Sequence, residues 1–358
     1  MVPMKWAIIG CGNVVETKSG PAFGMLDFAR LCEITALYSR SDAEKIAGIL
    51  GEQRHSGPVI QSRPIIASSA EEAMDNCDAV YIATTPDSHL HYARLAAERK
   101  LPTLVEKPMA LNVTEASIMA SMFQEAGVPL WVAYYRRYLP KFIKLKEILD
   151  SGALGRILGC QIVHTFLPED HPVAPVIAGK PIPWRYDKKI NGGGNFVDMG
   201  THHLDLIDWF FGPIKDVSAH VSNFSGLYDA EDTVTASMVT DRGVHVTGLW
   251  SYACAETKDI MKVYGTHGTA DIRPMSNDNG DIDCYFYFRG GDGRGGISGG
   301  SFFNNYSDVK HSPKYVHSGL IGAIMEEVTG GPKCIANWEN GLRAMRVQDK
   351  ILNARPQA

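Results

Sequence analysis

A short apolar run, Trp6-Ala7-Ile8-Ile9, passes directly into Gly10-Cys11-Gly12-Asn13-Val14-Val15, and this junction constrains the fold more than any other stretch of the chain. A strand that ends in glycines can turn tightly and let a pyrophosphate approach its backbone. The next helix then offers unpaired amides and the positive end of its dipole. The third position of the G-x-G-x-x-G spacing holds Val15 instead of Gly or Ala, so the six residues alone also suit an ordinary glycine turn. The neighbouring segments favour the phosphate-binding turn. Strand-like runs at 33–38, 78–84 and 102–105 alternate with helical stretches at 42–50, 69–74 and 89–100. A further amphipathic helix at 111–126 precedes a strand at 128–133. Such alternation builds a parallel sheet with right-handed crossovers.

After about residue 155 the pattern changes. Runs at 157–166, 217–224, 232–240, 244–252, 259–264 and 283–288 read as strands, several joined by tight turns such as Asp241-Arg242-Gly243. One helical segment, 195–211, interrupts them, and a helix closes the chain near 338–352. Successive strands with short turns predict a largely antiparallel sheet open on one face. The expected fold class is therefore α/β: an N-terminal Rossmann domain with a doubly wound parallel sheet, residues 1–130, followed by an α+β domain with an open, mainly antiparallel sheet, residues 131–358. A chain of 358 residues suits two domains. An open sheet face with alternating apolar residues would meet water, which predicts a homodimer or homotetramer formed through that sheet. The glycine-dense stretch 290–300 reads as a surface loop, since no helix start comes after it.

Charge and cysteine usage narrow the function classes. The net charge of −5 gives no electrostatic footprint for nucleic acid. No apolar run approaches the roughly 20 residues that a membrane span needs. The first residues lack the pattern of a signal peptide. The seven cysteines are odd in number, scattered, and contain no C-x-x-C pair. They fit reduced thiols in a cytoplasmic protein, and no trio of His, Cys and carboxylates has metal-ligand spacing.

Three further places carry candidate chemistry. The second strand ends Tyr38-Ser39-Arg40-Ser41, without the carboxylate that would bond an NAD ribose. Ser39 could donate to a 2′-phosphate and Arg40 could pair with it, which predicts NADP with NAD as the alternative. Arg40 as a solvated loop residue is the competing reading. Thr84-Thr85-Pro86 and Glu106-Lys107-Pro108 end later strands at the ligand-binding edge. Finally, Gly192-Gly193-Gly194-Asn195 opens a helix in which Asp198 and His202 fall at i and i+4, on one face of an α-helix. A carboxylate beside an imidazole suits a general acid/base. On these residues alone a structural histidine at a helix N-terminus is the safer reading.

Taken together, the glycine turn, Thr-Thr-Pro, Glu-Lys-Pro, G-G-G-x-x-x-D-x-G-x-H-x-x-D and Ala133-Tyr134-Tyr135-Arg136-Arg137 resemble the Gfo/Idh/MocA oxidoreductases, in the same order and over nearly the whole chain. The resemblance implies an NAD(P)-dependent enzyme that transfers hydride between the nicotinamide and a hydroxyl or keto carbon of a sugar, polyol or related compound. It implies catalytic roles for Lys107, Asp198 and His202, with His202 exchanging the hydroxyl proton and Lys107 stabilising charge on the oxygen. Cofactor contacts would come from Gly10, Gly12, Asn13, Val14, Ser39, Arg40, Thr84, Thr85, Pro86, His89, Glu106 and Lys107. Trp184 and Arg185 look like a tryptophan–arginine pair placed against the cofactor, although Trp184 as a core aromatic is an open reading. Tyr135 and Arg136 would face the substrate with Lys107, Asp198 and His202. The departure at Val15 should shift the first turn while sparing its backbone contacts. Relatives that serve as non-catalytic regulators, or as glycosidases with tightly held NAD, supply the alternatives. The presence of Lys107, Asp198 and His202 together favours the enzyme.

Overall fold

The computed structural model describes residues 2–25, 31–52, 63–167, 183–275, 281–287, 301–305 and 315–354. The chain falls into two compact units. The first comprises Met1–Tyr138, Lys189–Gly192 and Pro313–Arg346, and the second Leu139–Lys188, Gly193–Ser312 and Val347–Ala358. The segment 313–346 lies within the span read from sequence as the second domain, yet it belongs to the first unit. A backbone bridge between Trp131 and Asn337 and the Val132 N–H donating to the Ala336 carbonyl at 3.1 Å tie it there.

In the first unit six strands run in parallel: β1 (Met4–Ile9), β2 (Cys32–Tyr38), β3 (Ile65–Ile66), β4 (Ala79–Ile82), β5 (Thr103–Val105) and β6 (Leu130–Val132), in the spatial order β3-β2-β1-β4-β5-β6. The inner strands are buried on both faces, as a parallel sheet covered by helices requires, while the edge strand β3 is exposed. Trp6 to Ile9 and Ala79 to Ile82 are wholly buried. Strand order reverses between β1 and β4, the position where open α/β sheets leave a crevice at their carboxyl ends. Gly10, Ala83 and Glu106 come directly after β1, β4 and β5 at that edge. The helix Val113–Ala126 illustrates local encoding. Asn112 caps it by accepting the Glu115 N–H at 3.0 Å, and Gly127 ends it in the left-handed region.

The second unit holds β7 (Ile157–Thr165), β8 (Ile214–Ser222), β9 (Thr233–Thr240), β10 (His245–Ser251), β11 (Lys258–Gly265), β12 (Gly268–Arg273), β13 (Asp281–Tyr287) and β14 (Ser301–Asn305). Their order is β14-β13-β12-β11-β7-β10-β9-β8. Only β7 and β10 pair in parallel. The inner face is apolar: Ile162, Val234, Met238, Val246, Trp250, Met261, Val263 and Ile272 are buried. The outward set is mixed. Thr235, Ser237, His245 and Thr247 are exposed there, with Leu249 and Tyr264 among them. Polar residues alternating outward let an antiparallel sheet meet water. The cysteines form no disulfide among the described residues, and five of them are buried. No helix among the described residues is long and apolar enough to cross a membrane. The 290–300 stretch lies outside the described residues.

Candidate active site

The first unit gathers the expected cofactor residues at the carboxyl edge of its sheet. Gly10 has φ +96°, and a Cβ there would stand 2.8 Å from the backbone of Ala83 and from the Thr84 methyl. This close approach of two strand ends explains the first glycine. Gly12 differs: nothing lies within 4 Å of where its Cβ would be, and the residue is exposed. The space beside the turn, at the start of a helix, fits a dinucleotide pyrophosphate. Val15 points away from that space and is fully buried, so the departure from the glycine pattern is absorbed in the core. Asn13 and Val14 form the first helical residues after the turn.

Ser39 does not stand ready as a donor alone. Its hydroxyl accepts the Cys11 N–H at 3.3 Å and the Ser41 N–H at 3.4 Å, which binds the end of β2 to the glycine turn. Arg40 is exposed and forms no ion pair among the described residues. Thr84, Thr85 and Pro86 form a turn held by the Ser88 hydroxyl, which donates to Thr84 Oγ1 at 2.8 Å.

His89, expected as a cofactor contact, is wholly buried. Its Nδ1 lies 3.2 and 3.3 Å from the Pro108 and Met109 carbonyls, and its Nε2 lies 3.1 Å from the Thr84 carbonyl. The ring therefore joins the Thr-Thr-Pro turn to the Glu-Lys-Pro turn. Burial pushes its pKa down while the carbonyls pull it up, and burial dominates. The geometry makes it a bridge that positions Lys107. Glu106 is also buried. Its carboxylate accepts the Tyr81 hydroxyl at 2.6 Å and the Lys107 N–H at 3.2 Å. Burial raises its pKa, with the Lys107 and Lys18 ammoniums opposing. Tyr135 and Arg136 are buried in a 3₁₀ turn after β6. The Lys18 ammonium stands 5.8 Å from the centre of the Tyr135 ring, and the His317 ring lies 4.6 Å from it.

In the second unit the candidate helix departs from the expected geometry. It opens with a π-helical turn, Phe196–Gly200, before the α-helix Thr201–Phe211. Hydrogen bonds spaced i to i+5 widen that turn; Asp198 lies within it and His202 on the α-helix that follows. Asp198 accepts Arg185 Nε at 3.3 Å, and the Arg185 guanidinium lies 4.7 Å over the Trp184 ring. Trp184, Arg185 and Asp198 are thus brought together. His202 is buried on the α-helix, and its neighbour His203 fixes that helix to the sheet. The Trp250 indole donates to His203 Nδ1 at 2.7 Å, and the His164 and His203 rings lie 4.9 Å apart.

The triple glycine makes close approaches to the chain itself. A Cβ on Gly192 would stand 2.3 Å from the Leu111 carbonyl oxygen. Those on Gly193 and Gly194 would crowd Glu231, whose carboxylate accepts the Gly194 N–H at 2.7 Å. Sequence reasoning missed Glu231, which stands 37 residues further along and carries no local signal. Burial pushes its carboxyl up to about 7, against the Gly194 amide and the Lys188 ammonium. Between about 4.5 and about 7 the unfolded chain releases this proton while the folded one keeps it. The stability that Glu231 contributes is therefore full below about 4.5 and lost as pH rises through about 7. The loss amounts to ~3 kcal/mol at 1.36 kcal/mol per pKa unit. We expect Glu231→Gln to remove it: urea midpoints at pH 5 and pH 8 should converge in the variant relative to wild type, and an unchanged pH dependence would refute the assignment.

No cluster of three metal-ligating side chains occurs among the described residues. Residues 4–134 match the model of the oxidoreductase family with an NAD-binding Rossmann fold, and residues 142–271 match the GFO/IDH/MocA C-terminal domain. The chain is also 30% identical to "Oxidoreductase P35" of Formosa agariphila over 289 residues, 79% of this chain and 85% of the relative. The chain belongs to the Gfo/Idh/MocA family of oxidoreductases. A D-xylose 1-dehydrogenase [NADP(+)] of Haloarcula marismortui shares 32% identity over 203 residues, 57% of this chain and 53% of that protein. In fold, the aldose-aldose oxidoreductase of Caulobacter crescentus, solved with glycerol, superposes with a TM-score of 0.78 at 22% identity over 98% and 97% of the two chains. As a Gfo/Idh/MocA member the protein is an NAD(P)-binding oxidoreductase, an enzyme of the class that acts on CH–OH groups.

Proposed function

We propose that this oxidoreductase is an NADP-preferring dehydrogenase or reductase of a sugar, polyol or related compound. The observation that carries the reading is Lys107, held by Glu106, Tyr81 and His89 at the same sheet edge as the open turn at Gly12. The cofactor supplies the hydride acceptor in oxidation and the donor in reduction. Lys107 stabilises negative charge on the substrate oxygen. His202 takes the hydroxyl proton as the carbon loses hydride, leaving a carbonyl, and returns it in the reverse direction. Asp198, with Arg185, orients the substrate. A sugar substrate accords with the xylose and aldose enzymes among the similar proteins.

NADP preference rests on Arg40, exposed directly after β2, where the strand-end position itself is Ser39 and not a carboxylate. Titration with NADPH and NADH, followed by nicotinamide fluorescence, tests it. Arg40→Ala should weaken NADPH about tenfold, the worth of a charge-assisted pair, and leave NADH within about twofold. Equal affinities in the wild type would make NAD the cofactor and remove the role of Arg40. Binding of neither would remove the reading as a whole.

A further inference from the structure

The turn that carries Asp198 is built against one buried carboxylate. Glu231 accepts the Gly194 N–H at 2.7 Å, and the Gly194 carbonyl in turn accepts the amides of Val197 at 3.1 Å and Asp198 at 3.4 Å. Two hydrogen bonds through a single residue therefore join Glu231 to Asp198. The seat is close on its side-chain face as well. A Cβ on Gly193 or Gly194 would stand 3.1–3.2 Å from the Glu231 carboxylate oxygens, and one on Gly194 would stand 3.3 Å from the Ala230 methyl. Glycine at both positions lets the carboxylate reach the backbone.

The same connection, between β8 and β9, also stands behind the other partner of Asp198. Arg185, which donates to Asp198 at 3.3 Å, belongs to the 3₁₀ turn Trp184–Tyr186. The Tyr186 ring lies 4.7 Å from the Tyr228 ring, and Tyr186, Tyr228 and Ala230 form one buried cluster. Residues 228 and 231 thus support both members of the Arg185–Asp198 pair. The connection is itself fastened to the sheet. Asp232 accepts the Phe224 and Ser225 amides at 3.1 and 2.8 Å. Its own N–H donates to the Ser222 carbonyl at 3.0 Å, and its carbonyl accepts the Tyr252 N–H at 2.8 Å. A support tied to β8 on one side and to Tyr252, just after β10, on the other has little freedom to follow a change at Glu231.

We propose that Glu231 is a positioning residue for Asp198: through the Gly194 amide it sets where that carboxylate stands, and so how tightly the sugar or polyol is held. The inference rests on the dehydrogenase reading in which Asp198 orients the substrate, and deepens it. The reaction is unchanged, and Glu231 acts on the substrate through Asp198.

The test measures KM and kcat for D-xylose, D-glucose and myo-inositol with NADP+ in wild type, Glu231→Gln, Glu231→Asp and Glu231→Leu. NADPH affinity is followed by nicotinamide fluorescence. The assays are run at pH 8, above the value of about 7 to which burial raises the Glu231 carboxyl. Glu231→Leu removes the acceptor. KM should rise about 10–100-fold, the scale of a small misplacement transmitted to a binding group, while kcat stays within about threefold and NADPH affinity within about twofold. Glu231→Gln keeps a carbonyl acceptor of the same reach and should hold KM within about threefold. Glu231→Asp withdraws the acceptor by one methylene and should raise KM to between the two, which decides the matter if the leucine variant fails to fold. Placed on Asp198→Ala, Glu231→Leu should add less than about twofold to KM, because the group it positions is already gone. KM unchanged in both the leucine and aspartate variants overturns the inference. So does an effect that persists in full on Asp198→Ala, or one in which NADPH affinity falls together with KM. Each of these leaves the dehydrogenase reading standing. A wild type that binds NADPH and oxidises none of the three compounds removes both.

Discussion

Lys107→Met should lower kcat by about 10²–10³-fold, the cost of removing one preorganised donor to a developing oxyanion, while NADPH still binds. The reason is how firmly the residue is placed. Glu106 is anchored by Tyr81 at 2.6 Å and by the Lys107 N–H at 3.2 Å, and His89 pins the next turn to the end of β4. Methionine has a similar reach and no charge, so the backbone of this turn has no reason to move. The effect should fall on the chemical step. Steady-state kinetics and a fluorescence titration on the same preparation separate the possibilities. A variant with wild-type kcat would remove Lys107 from the reaction. A variant that loses cofactor binding and kcat together would make Lys107 a binding residue only.

The sheet of the first unit was legible because its strands are short apolar runs buried on both sides. Trp6 to Ile9 and Ala79 to Ile82 need no partner information to be recognised as interior. The two-residue edge strand β3 was not legible, nor was β12, whose Gly268, Asp271 and Arg273 give little strand signal. β12 is secured by its partners, through Met261 opposite Ile272 and Ala270 opposite Cys284. The candidate helix was located correctly, but its geometry was not. A π-helical turn differs from an α-helical one by a single step in hydrogen bonding, and side-chain periodicity over five residues cannot distinguish the two. The contacts of Glu231, His317 and Lys18 were hidden for another reason. Each depends on segments far apart in sequence: the 37-residue return from Gly194 to Glu231, the return of residues 313–346 to the first unit, and the approach of the first helical turn to Tyr135 after β6. Family resemblance supplied the candidate residues as expectations, while the contacts that hold them in place required the fold.

Gly10→Ala should damage both the stability of the first unit and its cofactor turn. The residue sits at φ +96°, where an L side chain costs ~1–3 kcal/mol. Its Cβ would also stand 2.8 Å from the Ala83 carbonyl carbon and oxygen and from Thr84 Cγ2. The backbone has little freedom to yield. The Gly10 N–H donates to the Tyr38 carbonyl at 2.8 Å, and the Ala83 N–H donates to the Ile9 carbonyl at 2.8 Å, so the turn is tied to β2 and β4 together. Overpacking of this kind adds ~1–3 kcal/mol, for a total of ~2–6 kcal/mol against the ~5–15 kcal/mol that holds a folded protein together. Urea denaturation should show that loss, and fluorescence titration should show NADPH and NADH binding weakened together, unlike the selective loss at Arg40. Gly12→Ala is the control that separates fold from ligand. Its Cβ meets nothing within 4 Å, so stability should stay within about 0.5 kcal/mol of wild type, and any loss of dinucleotide affinity there comes from the ligand meeting the new methyl. If Gly10→Ala unfolds and binds like the wild type, the two strand ends do not meet this closely and the cofactor turn must be built in another way.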